Sequence, residues 1–408
     1  MFYARPNRHS FNALAGALET DEVCGSFQVF FADDEKGLVQ ALKTALASRR
    51  LAAAALSFAT AQCAGMRKLM SRLRAAFSSR VIFIAGGPHP SAEPAACLRM
   101  GFDVVVRGEG EAAFIELLKT IAKGGDYRPV NGLAFTDGEG QCHMTPPRPA
   151  IELDRYPSFS ARYEKIGPVE ITRGCPFACR FCQTTHLLGA QPRHRSIGSI
   201  NSHLALMRRR GMCDVRFVTP NAFSYGSPDG RALNYEALHE LLAAMRATLG
   251  REGRLFFGTF PSEARPEHVT EKTLKLVRDF ASNDNLVIGA QSGSQRMLDA
   301  CHRGHSVADI ERAVALTLQA GLKANVDFIL GLPGETDDDT AQTLGLIRRL
   351  ITLGAKIHAH TFMPLPQTGF AFEQPSPISE RLLKLLHTLI PAGGVYGQWQ
   401  AQKNRLET

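Results

Sequence analysis

Apolar and polar positions alternate in two rhythms along the first 125 residues. Short runs rich in β-branched and aromatic residues, which favour strands, are followed by stretches with apolar residues three or four positions apart, which favour helices. This alternation is typical of a parallel sheet covered by helices, so we predict a small doubly wound, Rossmann-like α/β domain over residues 1–125. Its predicted strands are FQVFFA, AAAALSFA, RVIFIAGG and DVVVRG, with the opening FYA as a first strand, and its helices lie around 12–20, 36–50, 66–77 and 111–121.

The alternation stops between residues 126 and 165. The run GLAFTDGEGQCHMTPPRP has two apolar stretches on either side of the turn residues 137–140, which predict a β-hairpin. A proline-rich passage follows. We interpret residues 126–165 as a linker, because a chain of 408 residues is expected to form two domains rather than one.

The alternation resumes at Val169 with longer units. Six such units over residues 166–370 predict a partial (β/α)6 barrel, in which residues at the carboxyl ends of the strands line the mouth. Residues 371–408 are predicted to carry one helix and a short aromatic segment. The six predicted strands are VEIT, VRFVTP, RLFFGTF, NLVIGAQ, ANVDFIL and IHAHTFMP.

Composition narrows the class of protein. Hydrophobic residues at 44% and charged residues at 21% are ordinary for a folded chain, and the net charge of +8 is too small and too scattered to predict a nucleic-acid partner. No run approaches the roughly 18 apolar residues of a membrane span, and no signal-peptide pattern opens the chain. Nine cysteines, three of them close together, suggest reduced ligands rather than disulfides. We therefore expect a cytoplasmic protein with no membrane partner.

Three of the cysteines lie in the run GCPFACRFCQ, directly after a predicted strand: Cys175, Cys179 and Cys182. Thiolates are soft ligands suited to iron–sulfur clusters, and three of them on one short loop can surround one part of a cubane cluster. The fourth iron then lacks a protein ligand and stays open to a substrate. Incidental buried cysteines, or a zinc site with a distant fourth ligand, fit this spacing less well.

The spacing Cys-x3-Cys-x2-Cys, with Phe181 before the last cysteine and Arg180 beside it, resembles that of the radical S-adenosylmethionine (radical SAM) superfamily. This resemblance implies a [4Fe–4S] cluster whose open iron binds the amino and carboxylate groups of S-adenosylmethionine (SAM). It also implies reductive cleavage of SAM to a 5′-deoxyadenosyl radical, with an electron donor such as flavodoxin or ferredoxin.

Later segments resemble those of the same superfamily in order and spacing. GTFPSEARPE resembles the third-strand segment, in which Ser262, Glu263 and Arg265 are expected to hold the ribose and carboxylate of SAM. GAQSGS resembles the fourth-strand segment, with Gln291 and Ser292 as polar contacts. VDFILGLPGET resembles the fifth-strand segment that passes the adenine, and HTFMPLPQTGF resembles the end of the sixth strand.

The rest of the site is less clearly marked. The second strand ends in TPNAFSYG, without the Gly-Gly-Glu that many relatives use for the amino group of SAM, which leaves Asn221 or a backbone carbonyl as candidates. Residues that contact a small-molecule substrate are not identified. The polar and aromatic groups that could face it are Tyr225, His302, Arg303, His358, His360, Tyr396 and Trp399.

The first domain resembles the cobalamin-binding domain fused to one large class of radical SAM proteins. Ser57 ends a predicted strand with Thr60 close behind, Gly86 and Gly87 end the next strand, and Gly108 follows the third. Small residues at strand ends leave a slot for the dimethylbenzimidazole tail, and hydroxyl groups can bond its ring and phosphate. The resemblance therefore implies cobalamin as a third cofactor.

Other interpretations of this domain stay open. A plain nucleotide-binding fold, a structural cap and a degenerate domain that binds nothing share the same pattern. The Asp-x-His-x-x-Gly motif, by which some cobalamin proteins supply the lower cobalt ligand, is absent from the sequence. His9 and His89 are the histidines of this domain, and we interpret them as surface residues.

Taken together, the resemblances over residues 5–370 imply a cobalamin-dependent radical SAM enzyme that methylates an unactivated carbon, or phosphorus, by way of methylcobalamin. A radical SAM cyclase or rearranging enzyme would share every motif. A methylthiotransferase would need a second cluster, but the settings of Cys24, Cys63 and Cys97 do not match those of its ligands. A non-catalytic cobalamin or redox sensor would gain nothing from an open iron.

Overall fold

The computed structural model describes residues 1–25, 27–48 and 52–406, and the chain divides into two compact units, residues 1–167 and 168–408. Both units are of the α/β class. No helix formed by the described residues combines the length and the hydropathy that a membrane-spanning helix needs.

The first unit is built on one five-stranded sheet, whose strands lie side by side in chain order. The strands are β1 (Ala52–Ser57), β2 (Val81–Gly86), β3 (Val104–Val106), β4 (Leu133–Thr136) and β5 (Cys142–Met144). β1, β2 and β3 are parallel, whereas β4 and β5 are antiparallel to their neighbours. The helices of this unit are α1 (Arg8–Glu19), α2 (Glu22–Gly25), α3 (Glu35–Ser48), α4 (Cys63–Phe77), α5 (Pro88–Ala92), α6 (Pro94–Arg99) and α7 (Gly110–Ala122).

Helices cover both faces of this sheet. Successive side chains of a strand point to opposite faces, and accordingly Leu56 packs in one apolar cluster while its neighbour Ala55 packs in another. The first cluster includes apolar residues of α3, α4 and α6, and the second includes those of α1 and α7. The predicted doubly wound α/β domain is therefore confirmed.

Two details of this domain differ from the prediction. The run FQVFFA forms no strand; its Ala32 makes an isolated bridge to Phe2, and the N–H of Phe2 donates to the carbonyl of Ala55 at 2.9 Å. The alternate side chains of Phe27, Val29 and Phe31 pack against the second cluster instead, which accounts for their hydrophobic pattern. The hairpin expected within a linker is present, but it pairs with β3 and extends the sheet, because Val104 and Val106 lie opposite Phe135 and Leu133. The compact unit accordingly continues to Gly167.

The second unit carries two sets of parallel strands. Its strands are β6 (Val169–Glu170), β7 (Thr172–Arg173), β8 (Arg193–His194), β9 (Asp214–Val218), β10 (Arg254–Phe256), β11 (Asn285–Gln291), β12 (Lys323–Leu330), β13 (Lys356–Thr361) and β14 (Val395–Tyr396). One sheet has the order β10-β9-β6 and the other the order β11-β12-β13-β14, with β7 and β8 as a separate antiparallel pair. Ala264, just beyond β10, bridges in parallel to Ile288 of β11. The six predicted strands thus follow one another in chain order, which confirms the partial barrel.

The helices of the second unit alternate with these strands. They are α8 (Thr184–Leu188), α9 (Ile197–Arg209), α10 (Tyr235–Leu249), α11 (Glu271–Phe280), α12 (Gln295–Ala300), α13 (Val307–Gln319), α14 (Asp337–Leu353), α15 (Glu380–Leu389) and α16 (Trp399–Leu406). The tail differs from the prediction of one helix and a short segment. β14 pairs in parallel with β13, and α16 follows it, so residues beyond 371 extend the barrel sheet by one strand.

Candidate functional site

The cysteine loop begins directly after β7, where the chain turns sharply at Gly174. This glycine has a φ of 93°, and a Cβ here would lie 2.4 Å from the carbonyl oxygen of Gln191, so no larger residue fits. Thr185, in the helix that follows the loop, hydrogen-bonds to two loop residues. Its hydroxyl donates to the carbonyl of Cys175 at 2.7 Å and accepts from the N–H of Ala178 at 3.2 Å. The loop is therefore held in shape by its own hydrogen bonds.

The three cysteines of this loop are free thiols at the carboxyl end of the barrel strands. Cys179 is buried, and Arg303 donates to its Sγ at 3.5 Å and to the carbonyl of Gly289 at 2.6 Å. The Cys182 thiol donates to Thr184 Oγ1 at 3.2 Å, and burial raises its pKa. Soft sulfur donors beside a buried guanidinium suit a negatively charged iron–sulfur cluster, so the residues present fit that group.

Arg303 keeps its charge although it is buried. Burial alone would lower the pKa of its guanidinium, but Cys179 and Glu263 lie close enough to raise that pKa above its ordinary value. Among the described residues, the Arg303 Nε has no hydrogen-bond partner. A buried cation with an unpaired donor is a strong electrostatic feature of this site.

Phe181 and Arg180 anchor the loop to the barrel. The ring of Phe181 packs against an apolar cluster that includes Met297, Leu332 and Phe362. The guanidinium of Arg180 lies 4.3 Å above the ring of Phe370, whose N–H donates to the carbonyl of Arg180. The aromatic residue before the last cysteine is thus a packing residue.

Glu263, one of the predicted SAM contacts, lies beside β11. Its carboxylate fills the space beside Gly289, where a Cβ would come within 2.7 Å of it, and it accepts from Gln291 Nε2 at 3.5 Å. Burial raises the pKa of Glu263 to about 7, against the lowering effect of Arg303. Gln291 has a φ of 76°, which is unusual for a residue with a side chain and coincides with a break in the pairing of β11 with β12.

Arg265 is buried and already paired. Its guanidinium lies 3.4 Å from the ring centre of Phe177 in the cysteine loop, and its Nε donates to Glu267 at 2.5 Å. Its Nη2 also donates to the carbonyl of Arg303. Arg265 therefore connects the third-strand segment to the cysteine loop.

The remaining SAM candidates have polar groups engaged inside the protein. Ser262 is buried and donates to the carbonyl of Phe217 at 2.6 Å, and the hydroxyl of Ser292 accepts from the N–H of Ser294 at 3.2 Å. The amide of Asn221 contacts His268 Nδ1 at 2.7 Å and accepts from the N–H of Arg265 at 3.2 Å. These side chains position the segments that carry them.

A second polar cluster lies on the inner face of β12 and β13. His358 Nδ1 lies 2.9 Å from Asp327 Oδ1, and the ring of His360 lies 4.2 Å from that of His358. Tyr396 of β14 stacks on His358 at 4.6 Å. Sequence reasoning named both histidines and Tyr396 without a role and missed Asp327, although alternate positions on neighbouring strands were available as a signal.

In the first unit, the predicted cobalamin residues lie together at the carboxyl ends of β1, β2 and β3. Ser57 and Gly86 end β1 and β2 at the same level, since they are register partners. Gly87 has a φ of 92°, and a Cβ on it would lie 2.5 Å from Ser57 Oγ. Gly108 donates its N–H to Ser91 Oγ at 2.9 Å, and a Cβ added to Gly108 would meet open space. This edge has the small residues and hydroxyls that a cobalamin tail needs.

His89 does not lie on the surface as predicted. It is buried, with Nδ1 3.2 Å from Thr60 Oγ1 and Nε2 3.4 Å from Cys63 Sγ, and its ring lies beside that of Phe58. Burial lowers the pKa of its imidazole. Because both ring nitrogens have partners, His89 is a structural residue of the strand-end crevice.

Two family models match the chain. The B12 binding domain model matches residues 10–118 in the first unit, and the radical SAM superfamily model matches residues 169–347 in the second. Fold and matched domains define a protein that joins a cobalamin-binding domain to a radical SAM barrel. The chain therefore carries a B12 binding domain and a radical SAM domain, and these two domains imply a [4Fe–4S] cluster, SAM and cobalamin as cofactors.

Similar curated proteins include an uncharacterized methyltransferase of Pyrococcus horikoshii, which is 26% identical over 287 residues, 67% of this chain and 59% of that protein. An uncharacterized protein of Methanopyrus kandleri is 25% identical over 73% of this chain and 64% of its own length. A tRNA-2-methylthio-N(6)-dimethylallyladenosine synthase of Moorella thermoacetica is 28% identical over 54% of this chain and 49% of its own length. This chain spans less than two thirds of the length of these relatives.

Solved structures share the fold over most of the chain. The radical SAM methyltransferase TsrM from Kitasatospora setae, with cobalamin and a [4Fe–4S] cluster bound, superposes with a TM-score of 0.70 at 18% identity over 90% of this chain and 71% of that one. The cobalamin-dependent radical SAM enzyme OxsB, with aqua-cobalamin and SAM bound, gives 0.66 at 17% identity over 94% of this chain and 52% of that one. At these identities the likeness concerns the fold.

Proposed function

We propose that the chain is a cobalamin-dependent radical SAM enzyme that transfers a methyl group to an unactivated carbon, or to phosphorus, in a small-molecule substrate. The observation that carries the proposal is the loop of three free cysteines at the carboxyl end of the barrel, with Arg303 aimed at Cys179. The methyltransferase from Pyrococcus horikoshii supports the reaction class only coarsely. We place the protein in the cytoplasm, with a flavodoxin or ferredoxin as electron donor.

The cofactors supply chemistry that side chains lack: electron transfer from the cluster to SAM gives the 5′-deoxyadenosyl radical, and cobalamin carries the methyl group. An unactivated C–H bond is too weakly acidic for a side-chain base, which explains the need for a radical. In this proposal Cys175, Cys179 and Cys182 hold the cluster. Arg303 stabilises its negative charge through Cys179.

The SAM contacts are assigned to the segments that follow β10 and β11. Glu263 offers a carboxylate beside Gly289 for the ribose hydroxyls, and Gln291 adds an amide next to it. Arg265 is assigned to the SAM carboxylate together with its role beside Phe177. Ser262 and Ser292 support these segments through their own hydrogen bonds.

The cobalamin contacts are assigned to the strand ends of the first unit. Ser57 and Thr60 provide hydroxyls, and Gly86, Gly87 and Gly108 keep the strand ends free of side chains. His89 is not assigned as a cobalt ligand, because Thr60 and Cys63 occupy its ring nitrogens. The lower face of cobalamin is therefore expected to lack a histidine ligand.

The proposal is tested by anaerobic purification with cobalamin supplied, followed by reduction with SAM and assay of two products. Wild-type protein is expected to release both 5′-deoxyadenosine and S-adenosylhomocysteine, and Cys182→Ala is expected to release no 5′-deoxyadenosine. Deoxyadenosine without S-adenosylhomocysteine would contradict methyl transfer and favour a cyclase or rearranging enzyme. Neither product from a fully reconstituted protein would contradict the proposal as a whole and would favour a sensor.

A methylthiotransferase is a second candidate, because a curated relative carries that activity in its name. Such an enzyme needs a second cluster. Cys97 packs in the first apolar cluster of the N-terminal sheet and Cys24 in the second, so the sheet separates them. An iron content of about four atoms per chain supports one cluster, whereas about eight would favour the methylthiotransferase.

A further inference from the structure

One row of residues in register crosses the inner face of the barrel sheet. Gly289 of β11 lies in register with Asp327 of β12, Asp327 with His358 of β13, and His358 with Tyr396 of β14. His360 lies two residues beyond His358 and therefore points to the same face. The fold thus places a carboxylate and two imidazoles next to one another on two adjacent strands.

The distances within this row suit metal coordination. One donor atom each from Asp327, His358 and His360 lies within 4.8 Å of the others. Asp327 Oδ1 and His358 Nδ1 are 2.9 Å apart, the length of a hydrogen bond, and two ligands of a tetrahedral zinc ion lie about 3.3 Å apart, so a shift of a few tenths of an ångström lets both bind one ion. Two imidazoles and one carboxylate form a common ligand set for divalent transition metals.

Charge in this region is compatible with a cation. The carboxylate of Glu263 occupies the space beside Gly289, the register partner of Asp327, but Arg303 and Arg265 lie close to Glu263 and offset its charge, so Asp327 supplies the negative charge next to the histidines. The ion-pair partner that the described residues give Asp327 is His358, a histidine rather than a lysine or an arginine. The side chains of Asp327 and His358 are 13% and 21% exposed, so an ion can reach them without unfolding of the barrel.

Residues of β14 and the position after it fix the orientation of His358. The phenol ring of Tyr396 stacks on it at an angle of 13°, and a Cβ at Gly397 would lie 3.0 Å from its ring. A ligand held in one orientation loses less conformational entropy when it binds a metal. The row therefore has both the ligands and the rigidity of a binding site.

We propose that Asp327, His358 and His360 form a mononuclear site for a divalent transition metal of the Zn²⁺ or Fe²⁺ class on the inner face of β12 and β13. Three protein ligands leave at least one coordination position open. That position can accept an oxygen or nitrogen donor of a substrate. The site shares no residue with the cysteine loop, and the proposal does not rest on the proposed function.

The test uses the full chain with its cluster reconstituted, so that the cysteines are occupied, and Zn²⁺ as the probe. We expect about one zinc ion per chain by elemental analysis, and X-ray absorption at the zinc edge with only nitrogen and oxygen neighbours at about 2.0–2.2 Å. Asp327→Asn and His360→Asn are expected to lower zinc affinity by more than about 100-fold, because even outer-shell changes commonly cost 10–100-fold. His239→Asn, an exposed histidine on α10, is the matched control and should bind zinc as wild type does.

Three results would overturn the proposal. Wild-type protein could retain no zinc, its zinc could have sulfur neighbours at about 2.3 Å, or both ligand variants could bind zinc as tightly as the control. Circular dichroism checks that each variant is folded. If His360→Asn does not fold, His360→Gln is used in its place. The X-ray absorption spectrum of the wild-type protein distinguishes nitrogen and oxygen ligands from sulfur ligands without the use of a variant.

Discussion

At the scale of single residues, Arg303 is the side chain whose replacement is expected to change the chemistry most without touching a cysteine. It donates to Cys179 Sγ and to the carbonyl of Gly289. Arg303→Met removes a positive charge and a hydrogen bond from the cluster sulfur, and both losses make reduction of a cluster harder.

We therefore expect Arg303→Met to shift the midpoint potential of the cluster to a more negative value and to slow 5′-deoxyadenosine formation by about tenfold or more, equivalent to about 1.4 kcal/mol. Arg303→Lys keeps the positive charge but cannot donate to Cys179 and Gly289 at once. Its midpoint potential and rate should therefore lie between those of the wild type and Arg303→Met. Potentiometric titration with the product assay measures both effects. An unchanged potential in folded Arg303→Met would refute this role.

Gly87 gives a residue-scale prediction in the first unit. Its φ of 92° and ψ of −171° belong to a region that glycine alone adopts readily, and a Cβ would meet Ser57 Oγ at 2.5 Å. Gly87→Ala is expected to destabilise the first unit by about 2–4 kcal/mol.

Gly124→Ala is the control for Gly87→Ala, because Gly124 also has a positive φ but has open space around it. It should cost only about 1 kcal/mol. Hydrogen exchange of the peptides that cover β1 and β2 reports the difference. Equal protection in the two variants would show that contact with Ser57 does not matter.

At the scale of elements, the loop between β12 and α14 depends on Asp339. This buried carboxylate caps α14 through Thr336, accepts from Ser294 Oγ at 2.5 Å and pairs with Arg296. Burial opposes ionisation, but the hydrogen bonds from Arg296, Ser294 and Thr336 outweigh it and hold the pKa of Asp339 well below its ordinary value.

Asp339→Asn is expected to lower the free energy of unfolding by about 2–3 kcal/mol at neutral pH. Since the pKa is lower in the folded state, this stabilisation is present above the unfolded value of 3.8 and is lost as the pH falls below it. Urea unfolding followed by Trp399, the single and buried tryptophan, measures it. A wild-type advantage that persisted at low pH would contradict the assignment.

Glu335, in the same loop, should behave in the opposite way. Burial, with a further contribution from Asp339, raises its pKa to about 7 from an ordinary value of 4.5. The folded state therefore binds a proton that the unfolded state loses, and stability falls as the pH rises from 4.5 to 7.

Glu335→Gln should remove this decrease in the free energy of unfolding between pH 4.5 and 7. The difference in free energy of unfolding between wild type and Glu335→Gln is expected to change between pH 4.5 and 7 and to stay constant above 7. The same Trp399 fluorescence follows it, since Trp399 belongs to the second unit. A difference that does not vary with pH would show that Glu335 has an ordinary pKa in the folded protein.

The elements also show where sequence patterns are sufficient. Strands buried on both faces, such as β2 and β11, are apolar runs, and the sequence predicts both within two residues of their observed bounds. FQVFFA is also rich in apolar residues, yet its pairing is an isolated bridge between Ala32 and Phe2, because strand formation depends on a partner distant in sequence. β14 was missed for the same reason, since its two residues become a strand only against β13.

At the scale of the site, the pattern of cysteines was informative because cluster chemistry requires fixed spacing. The partners of Ser262 and Asn221 were not predictable, because Phe217 and His268 are 45 and 47 residues away from them along the chain. The same holds for Asp327, whose meaning depends on the register of β12 with β13. The sequence therefore predicts which loops and strands carry the candidate site, but not which of its side chains are already paired.

At the scale of the whole molecule, the two units should bind their cofactors separately. A variant with Cys175, Cys179 and Cys182 all replaced by alanine is expected to lose its iron while retaining about one cobalamin per chain, because the predicted cobalamin residues all belong to the first unit. Elemental analysis and the visible spectrum report iron and cobalamin independently. Loss of cobalamin from the folded variant would show that its binding needs the cluster.

The central claim is that the three cysteines hold a cluster with one iron open to SAM, and electron paramagnetic resonance of the reduced, reconstituted protein tests it most directly. The account predicts a [4Fe–4S]⁺ signal that changes shape when SAM is added and is absent from Cys182→Ala. A signal that SAM leaves unchanged, or no cluster signal in folded and fully reconstituted wild-type protein, would contradict it.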